Sequence, residues 1–90
     1  MHFTWDPRKA AANLRKHGVS FEEASSVLSD RLSVTGVNPD HSNRELRWIT
    51  FGVSIGSRLV AVSHTEHGDM IRIISARPMT KTERQLYEEG

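Results

Sequence analysis

Cysteine is absent from the 90-residue chain, which excludes a disulfide framework, a thiolate metal site and a cysteine nucleophile. Such a sequence suits a reducing cytoplasm. Proline is scarce at 3 residues, and no low-complexity tract or internal repeat interrupts the chain. No stretch approaches the roughly 18 apolar residues of a membrane span, and the opening MHFTWDPRK is too polar for a signal peptide. A soluble, cytoplasmic protein without a membrane partner is expected. An excess of one charge is missing too. The formal net charge is only +1, and over residues 1 to 30 Arg8, Lys9, Arg15 and Lys16 are offset by Asp6, Glu22, Glu23 and Asp30. Any electropositive surface must therefore come from how the fold places its charges.

What is present is arginine in a particular place. Arg44, Arg47, Arg58, Arg72 and Arg77 fall among the apolar runs WITFGV, RLVAV and IRIISA, a region without lysine. Lys9, Lys16 and Lys81 lie in segments that read as helices. Guanidiniums on a small sheet offer planar forks to phosphate oxygens, as an RNA-binding or RNA-cleaving surface requires. Nucleic acid is thus the first partner to consider.

The length fits one domain, 1–90, and 37% hydrophobic residues suffice for a modest core. MHFTW alternates as a short edge strand. Asp6 as cap, Pro7 at the first helical position and Gly18 as left-handed stop predict a helix over 7–17. Ser20 with Glu23 reads as a capping box opening a second helix over 21–29, with Val19 stapled onto Ala24. Ala11, Leu14, Phe21, Ala24, Val27 and Leu28 are the expected helical core contacts. RLSVTGV predicts a strand, and 46–53, 58–65 and 70–77 predict three more, joined by the short connections SIGS and EHGD as an antiparallel meander. Thr80 with Glu83 caps a last short helix through Tyr87, whose Leu86 is expected to dock on the sheet. The predicted architecture is α+β, with the helices on one face of the sheet.

Three segments carry a resemblance: WDPRKAAANLRKHGVSFEEA (5–24), RWITFG (47–52) and RLVAVSHTEHGDMIRIISARPMTKTERQLYE (58–88). Together they resemble the BrnT family of type II toxins, small ribonucleases with a RelE-like fold. KHGVSFEEA and IRIISAR, followed by the ERxxY of Glu83 to Tyr87, are the most specific parts. The resemblance implies an mRNA-cleaving toxin that halts translation. It also implies silencing by a BrnA-type antitoxin in a hetero-oligomer, with operator DNA reached only through the antitoxin. One departure stands out: where members commonly read TERG, this chain has Thr65-Glu66-His67-Gly68, a titratable imidazole in place of a fixed cation.

Metal-free RNA cleavage needs the ribose 2′-hydroxyl to attack phosphorus while cations hold the developing charge and the leaving oxygen gains a proton. Permanently protonated guanidiniums suit the electrostatic part, so Arg58 and Arg77 are expected to anchor the scissile phosphate. Strand alternation sets Arg72 on the face opposite Arg77 unless the strand bulges. His64 alternates in phase with Arg58, and its imidazole suits proton transfer near neutrality. Tyr87 matches, by the resemblance, a tyrosine that RelE-like enzymes often carry on the last helix. Substrate contacts are expected from Arg47, Arg72, Lys16 and Glu45, whereas His17 is accounted for by its helix C-terminus. Trp5, Trp48 and Phe51 can stack bases or fill the core. No metal or cofactor is expected, because His64 and His67 lack a third ligand nearby in sequence. The alternative to a ribonuclease is a non-catalytic module binding RNA or a partner through the same sheet.

Overall fold

A computed structural model describes residues 1–38 and 46–90. Arg44 and Glu45, the latter an expected substrate contact, lie outside the described residues. The order of elements is β1 (His2–Thr4), α1 (Pro7–His17), α2 (Phe21–Leu28), β2 (Val34–Val37), β3 (Trp48–Val53), β4 (Leu59–His67), β5 (Met70–Pro78) and α3 (Lys81–Glu89).

The helix ends form where the punctuation residues stand. Asp6 accepts the Arg8 N–H at 2.8 Å ahead of Pro7. Gly18 closes α1 at φ 71°, a left-handed conformation that glycine adopts without a Cβ clash, and donates to Leu14 O. The Ser20 hydroxyl accepts from Glu23 N at 3.0 Å. The expected capping box stays half-formed there, because the Glu23 carboxylate is spent elsewhere. Around Thr80 the box is complete.

The five strands among the described residues run β1-β5-β4-β3-β2, and β1 joins β5 in parallel while the remaining pairs are antiparallel. An all-antiparallel meander was expected, but the first strand pairs with the last across the intervening helices and strands. Alternation within a strand carries no information about such a partner. One face of the sheet receives α1 and α2. Val19, Phe21, Ala24 and Val27 pack there on Val60, Val62, Ile73 and Ala76, and Trp5 meets Phe21 edge to face at 6.0 Å between ring centroids.

Two expected core positions of α1 are not core. Ala11 is exposed and Leu14 is half-exposed, while Asn13 is buried between them. Beyond Thr4, β1 no longer covers the edge of β5, and the Asn13 side chain takes its place. Its amide donates to Ala76 O at 2.8 Å and to Val19 O at 2.9 Å, and its carbonyl accepts from Ala76 N at 3.1 Å. A side-chain amide thus satisfies the strand edge as a neighbouring strand would.

The last helix also departs from expectation. It crosses the other face of the sheet, tied to Arg77 through Glu83, so the helices do not share one face. None of its residues is buried, and Leu86 is mostly exposed instead of docked. Among the described residues no helix is long and apolar enough to cross a membrane.

Candidate functional site

The arginines do not converge in one pocket. They occupy two faces of the sheet, and the register shows how.

At the corner between α1 and α2, Arg58 leaves the β3–β4 connection toward the helices. Its Nε donates to Glu23 Oε2 at 2.9 Å and its Nη2 to Gly18 O at 2.9 Å, with a further, shorter contact from Nη2 to Glu23 Oε1. Ser54 Oγ donates to the same carboxylate at 2.6 Å. The Arg58 guanidinium holds the Glu23 carboxyl below its ordinary range, with Ser54 adding to the effect and burial opposing it. Glu23 in turn raises the proton affinity of Arg58. The pair is therefore ionised, yet 44% of the Arg58 side chain remains open to solvent. Lys16 is exposed on the last turn of α1, two residues before the Gly18 whose carbonyl Arg58 holds.

Arg77 points the other way. Its Nη1 and Nη2 meet Glu83 Oε1 and Oε2 at 2.6 and 2.9 Å, a bidentate pair between β5 and α3. That guanidinium is the largest cause holding the Glu83 carboxyl at about 2. At the far end of α3 the Tyr87 hydroxyl stands 3.4 Å from Asp30 Oδ2 and 3.5 Å from Leu32 O. Burial first, and then the Asp30 charge, push the phenol up from its ordinary value, so it stays protonated. Asp30 itself is held low chiefly by the Val53 and Leu32 N–H groups. Between these fastenings α3 and the sheet enclose a groove of about 620 Å³ lined by Leu32, Val34, Phe51, Glu83, Leu86 and Tyr87.

A bulge decides where Arg72 lies. Ser63 pairs with Ser75 but His64 pairs with Ile73, so Ile74 is an extra residue in β5. The inserted residue shifts the phase of the strand. Arg72, opposite Thr65, and Arg77, opposite Ala61, thereby reach the same face, the one that α3 crosses. Arg47 joins them: Trp48 pairs with His64, so Arg47 stands on the step of Thr65, and its carbonyl still accepts Asn38 N at 2.8 Å. Neither Arg47 nor Arg72 has a side-chain partner among the described residues.

Comparison with known proteins gives these clusters a context. A family profile described as the ribonuclease toxin BrnT of type II toxin–antitoxin systems matches residues 5–83. The chain belongs to the BrnT family. The crystal structure of the Brucella abortus ribonuclease toxin BrnT is similar at 26% identity with a TM-score of 0.64, over 90% of this chain and 99% of that one. No curated protein matches. Membership makes this chain a ribonuclease toxin of a type II system, with RNA as substrate and an antitoxin as partner.

Within this BrnT-family chain, His64 and Arg58 do share a face, but it is the face covered by the helices. His64 is 1% exposed. Its Nε2 lies 2.8 Å from Thr50 Oγ1, which is 2.7 Å from Thr35 Oγ1. Glu66 Oε2 approaches Nδ1 to 3.5 Å, near enough to pair with a protonated ring but without hydrogen-bond geometry, so Nδ1 of the neutral ring is unpaired. Burial lowers the proton affinity of His64 and Glu66 partly restores it. This histidine ties three strands together and does not present itself to a ligand. Glu23 is the residue that sequence reasoning missed, since its position three after Ser20 is explained by a capping box and its partners Ser54 and Arg58 lie more than thirty positions away. Thr65 is the second: its Oγ1 is enclosed and without a hydrogen-bond partner. Among the described residues no three His, Asp or Glu side chains gather as metal ligands.

Proposed function

We propose that this chain cleaves RNA without a metal ion, on a RelE-like scaffold, and so stops translation until a BrnA-type antitoxin binds it in a hetero-oligomer. Operator DNA is then contacted through the antitoxin. In the reaction the 2′-hydroxyl loses its proton and its oxygen bonds to the adjacent phosphorus. The bond from phosphorus to the 5′-oxygen breaks, and that oxygen takes up a proton.

The observation that carries this reading is the Arg58 guanidinium, fixed by Glu23 and Gly18 O yet partly open to solvent. A cation oriented before substrate arrives loses little in reorganisation when charge builds on phosphate oxygens. Glu23, ionised beside it and held below the ordinary carboxyl range by that guanidinium, is proposed as the acceptor of the 2′-hydroxyl proton, and Lys16 is proposed to add charge at the same corner. Tyr87, whose phenol stays protonated, is the proton-donor candidate, while His64 supports the sheet from inside. Arg77 is proposed to act from the other face at the same end of the sheet. Arg47 and Arg72 are proposed to hold RNA backbone.

End-labelled RNA incubated with the protein in EDTA tests the proposal. New 5′-hydroxyl and 2′,3′-cyclic phosphate ends are expected, and Arg58→Lys should slow their appearance by about a hundredfold, the cost of losing one oriented donor. Binding without new ends would mark a non-catalytic RNA-binding module instead. An unchanged rate in a folded Arg58→Lys protein would remove Arg58 from the mechanism. Growth arrest on induction, relieved by co-expressing the neighbouring reading frame, tests the toxin and antitoxin roles in cells.

A further inference from the structure

We infer that the step of the sheet carrying Arg47, Thr65 and Arg72 is a phosphate subsite that seats an RNA backbone phosphate away from the cleavage corner. The inference rests on the ribonuclease reading for its ligand, but on separate residues for its geometry.

Arg72 on β5 pairs with Thr65 on β4, and Arg47, one residue before β3, whose Trp48 pairs with His64, flanks Thr65 from the opposite side. With about 4.8 Å between neighbouring strands, the two arginine backbones stand roughly 10 Å apart. Two guanidiniums at that separation can close on one phosphate between them, and Thr65 lies beneath its centre. On β1, Thr4 extends the step beyond Arg72, and the next step up carries Ser63 and Ser75. Hydroxyls and cations therefore occupy this patch. Glu66, the adjacent acid, turns to the other face beside His64.

The decisive detail is Thr65 itself. Its residue is 1% exposed and its hydroxyl has no hydrogen-bond partner, although a buried polar group ordinarily has one. The orphan oxygen sits on the face and step where two guanidiniums also lack partners among the described residues. An anion drawn in by Arg47 and Arg72 would supply an acceptor to the hydroxyl and to both cations at once. Arg72 is exposed and unpaired among the described residues, so it can turn to a ligand without breaking an ion pair. The bulge at Ile74 leaves Arg72 in this row and also brings Arg77 onto the same face, so a strand of RNA gripped here passes toward α3.

Because this subsite is remote from Arg58, it should govern binding of long RNA and leave a dinucleotide unaffected. The test uses a fluorescent 2′-O-methyl oligonucleotide, which binds but cannot be cleaved, alongside a cleavable dinucleotide. Thr65→Val, close in shape but without the hydroxyl, is expected to weaken oligonucleotide binding about tenfold, and Thr65→Ser to restore it. Arg72→Gln is expected to weaken binding and to lower the slope of log affinity against log salt by about 0.7. Dinucleotide turnover should be the same in the Thr65→Val, Thr65→Ser and unaltered proteins. Unchanged oligonucleotide affinity in Thr65→Val overturns the subsite, as does a matching fall in dinucleotide turnover, which would make the row part of the cleavage centre. If the unaltered protein cleaves nothing while binding still depends on Thr65 and Arg72, the subsite stands and the ribonuclease reading falls.

Discussion

Replacing Glu83 by Gln probes the bidentate ion pair that ties α3 to β5. The carboxylate accepts from both Nη atoms of Arg77 and from Thr80 N at 2.9 Å. Its pKa is held at about 2, against an ordinary 4.5. At about 1.4 kcal/mol for each tenfold change, a fully enclosed pair would be worth roughly 3 kcal/mol. The Arg77 side chain keeps 36% of its surface, so solvent screening reduces the expected loss in Glu83→Gln to about 1–2 kcal/mol at neutral pH. The sign with pH follows from linkage. A carboxyl whose folded pKa lies below its unfolded value stabilises the fold above about 4.5, and that contribution disappears as the pH falls toward 2. More than half of it should be gone by about pH 3. The gap between urea titrations of the two proteins should therefore be less than half as large near pH 3 as at neutral pH. A gap of the same size at both pH values would show that shape and capping, not charge, hold the helix. Since α3 has no buried residue, hydrogen exchange should also speed up first in its amides when Glu83 is replaced.

Three further outcomes follow from buried polar groups. Thr65→Val removes an unpartnered enclosed hydroxyl and should stabilise the protein by about 1 kcal/mol, read as a higher melting temperature; a lower one would mean that the hydroxyl is already satisfied. Asn13→Ala strips partners from Ala76 N, Ala76 O and Val19 O. Its cost should be about 2–4 kcal/mol in the urea midpoint, and a loss well under 1 kcal/mol would show that water replaces the amide. For His64, burial depresses the folded pKa below the ordinary 6.5, so protonation favours the unfolded chain. Stability should be full above about pH 6.5 and fall below it, and His64→Gln should flatten that fall; an identical pH profile would exclude His64 as its source.

The sequence alone determined the elements that rest on neighbouring residues. Asp6-Pro7, Gly18, Ser20 and Thr80 set helix ends where they stand, because a cap needs only groups within one turn. Strands β3 to β5 were legible from alternating apolar residues and short glycine-bearing connections for the same reason. The family was legible as well, through motifs spread along most of the chain. Tertiary structure decided the rest. The parallel pairing of β1 with β5, the crossing of α3 over the far face and the burial of Asn13 each join segments distant in sequence. For the arginines the deciding feature was a single inserted residue, Ile74, which reversed the face predicted for Arg72 relative to Arg77. Side-chain direction in a strand is a parity, and the sequence carries no local mark of where a bulge changes it. Likewise Glu23 looked like a capping residue until the fold brought Arg58 and Ser54 to its carboxylate. Local chemistry decided which residue types could bind phosphate, and only the packing of distant strands and helices decided which of them share a face.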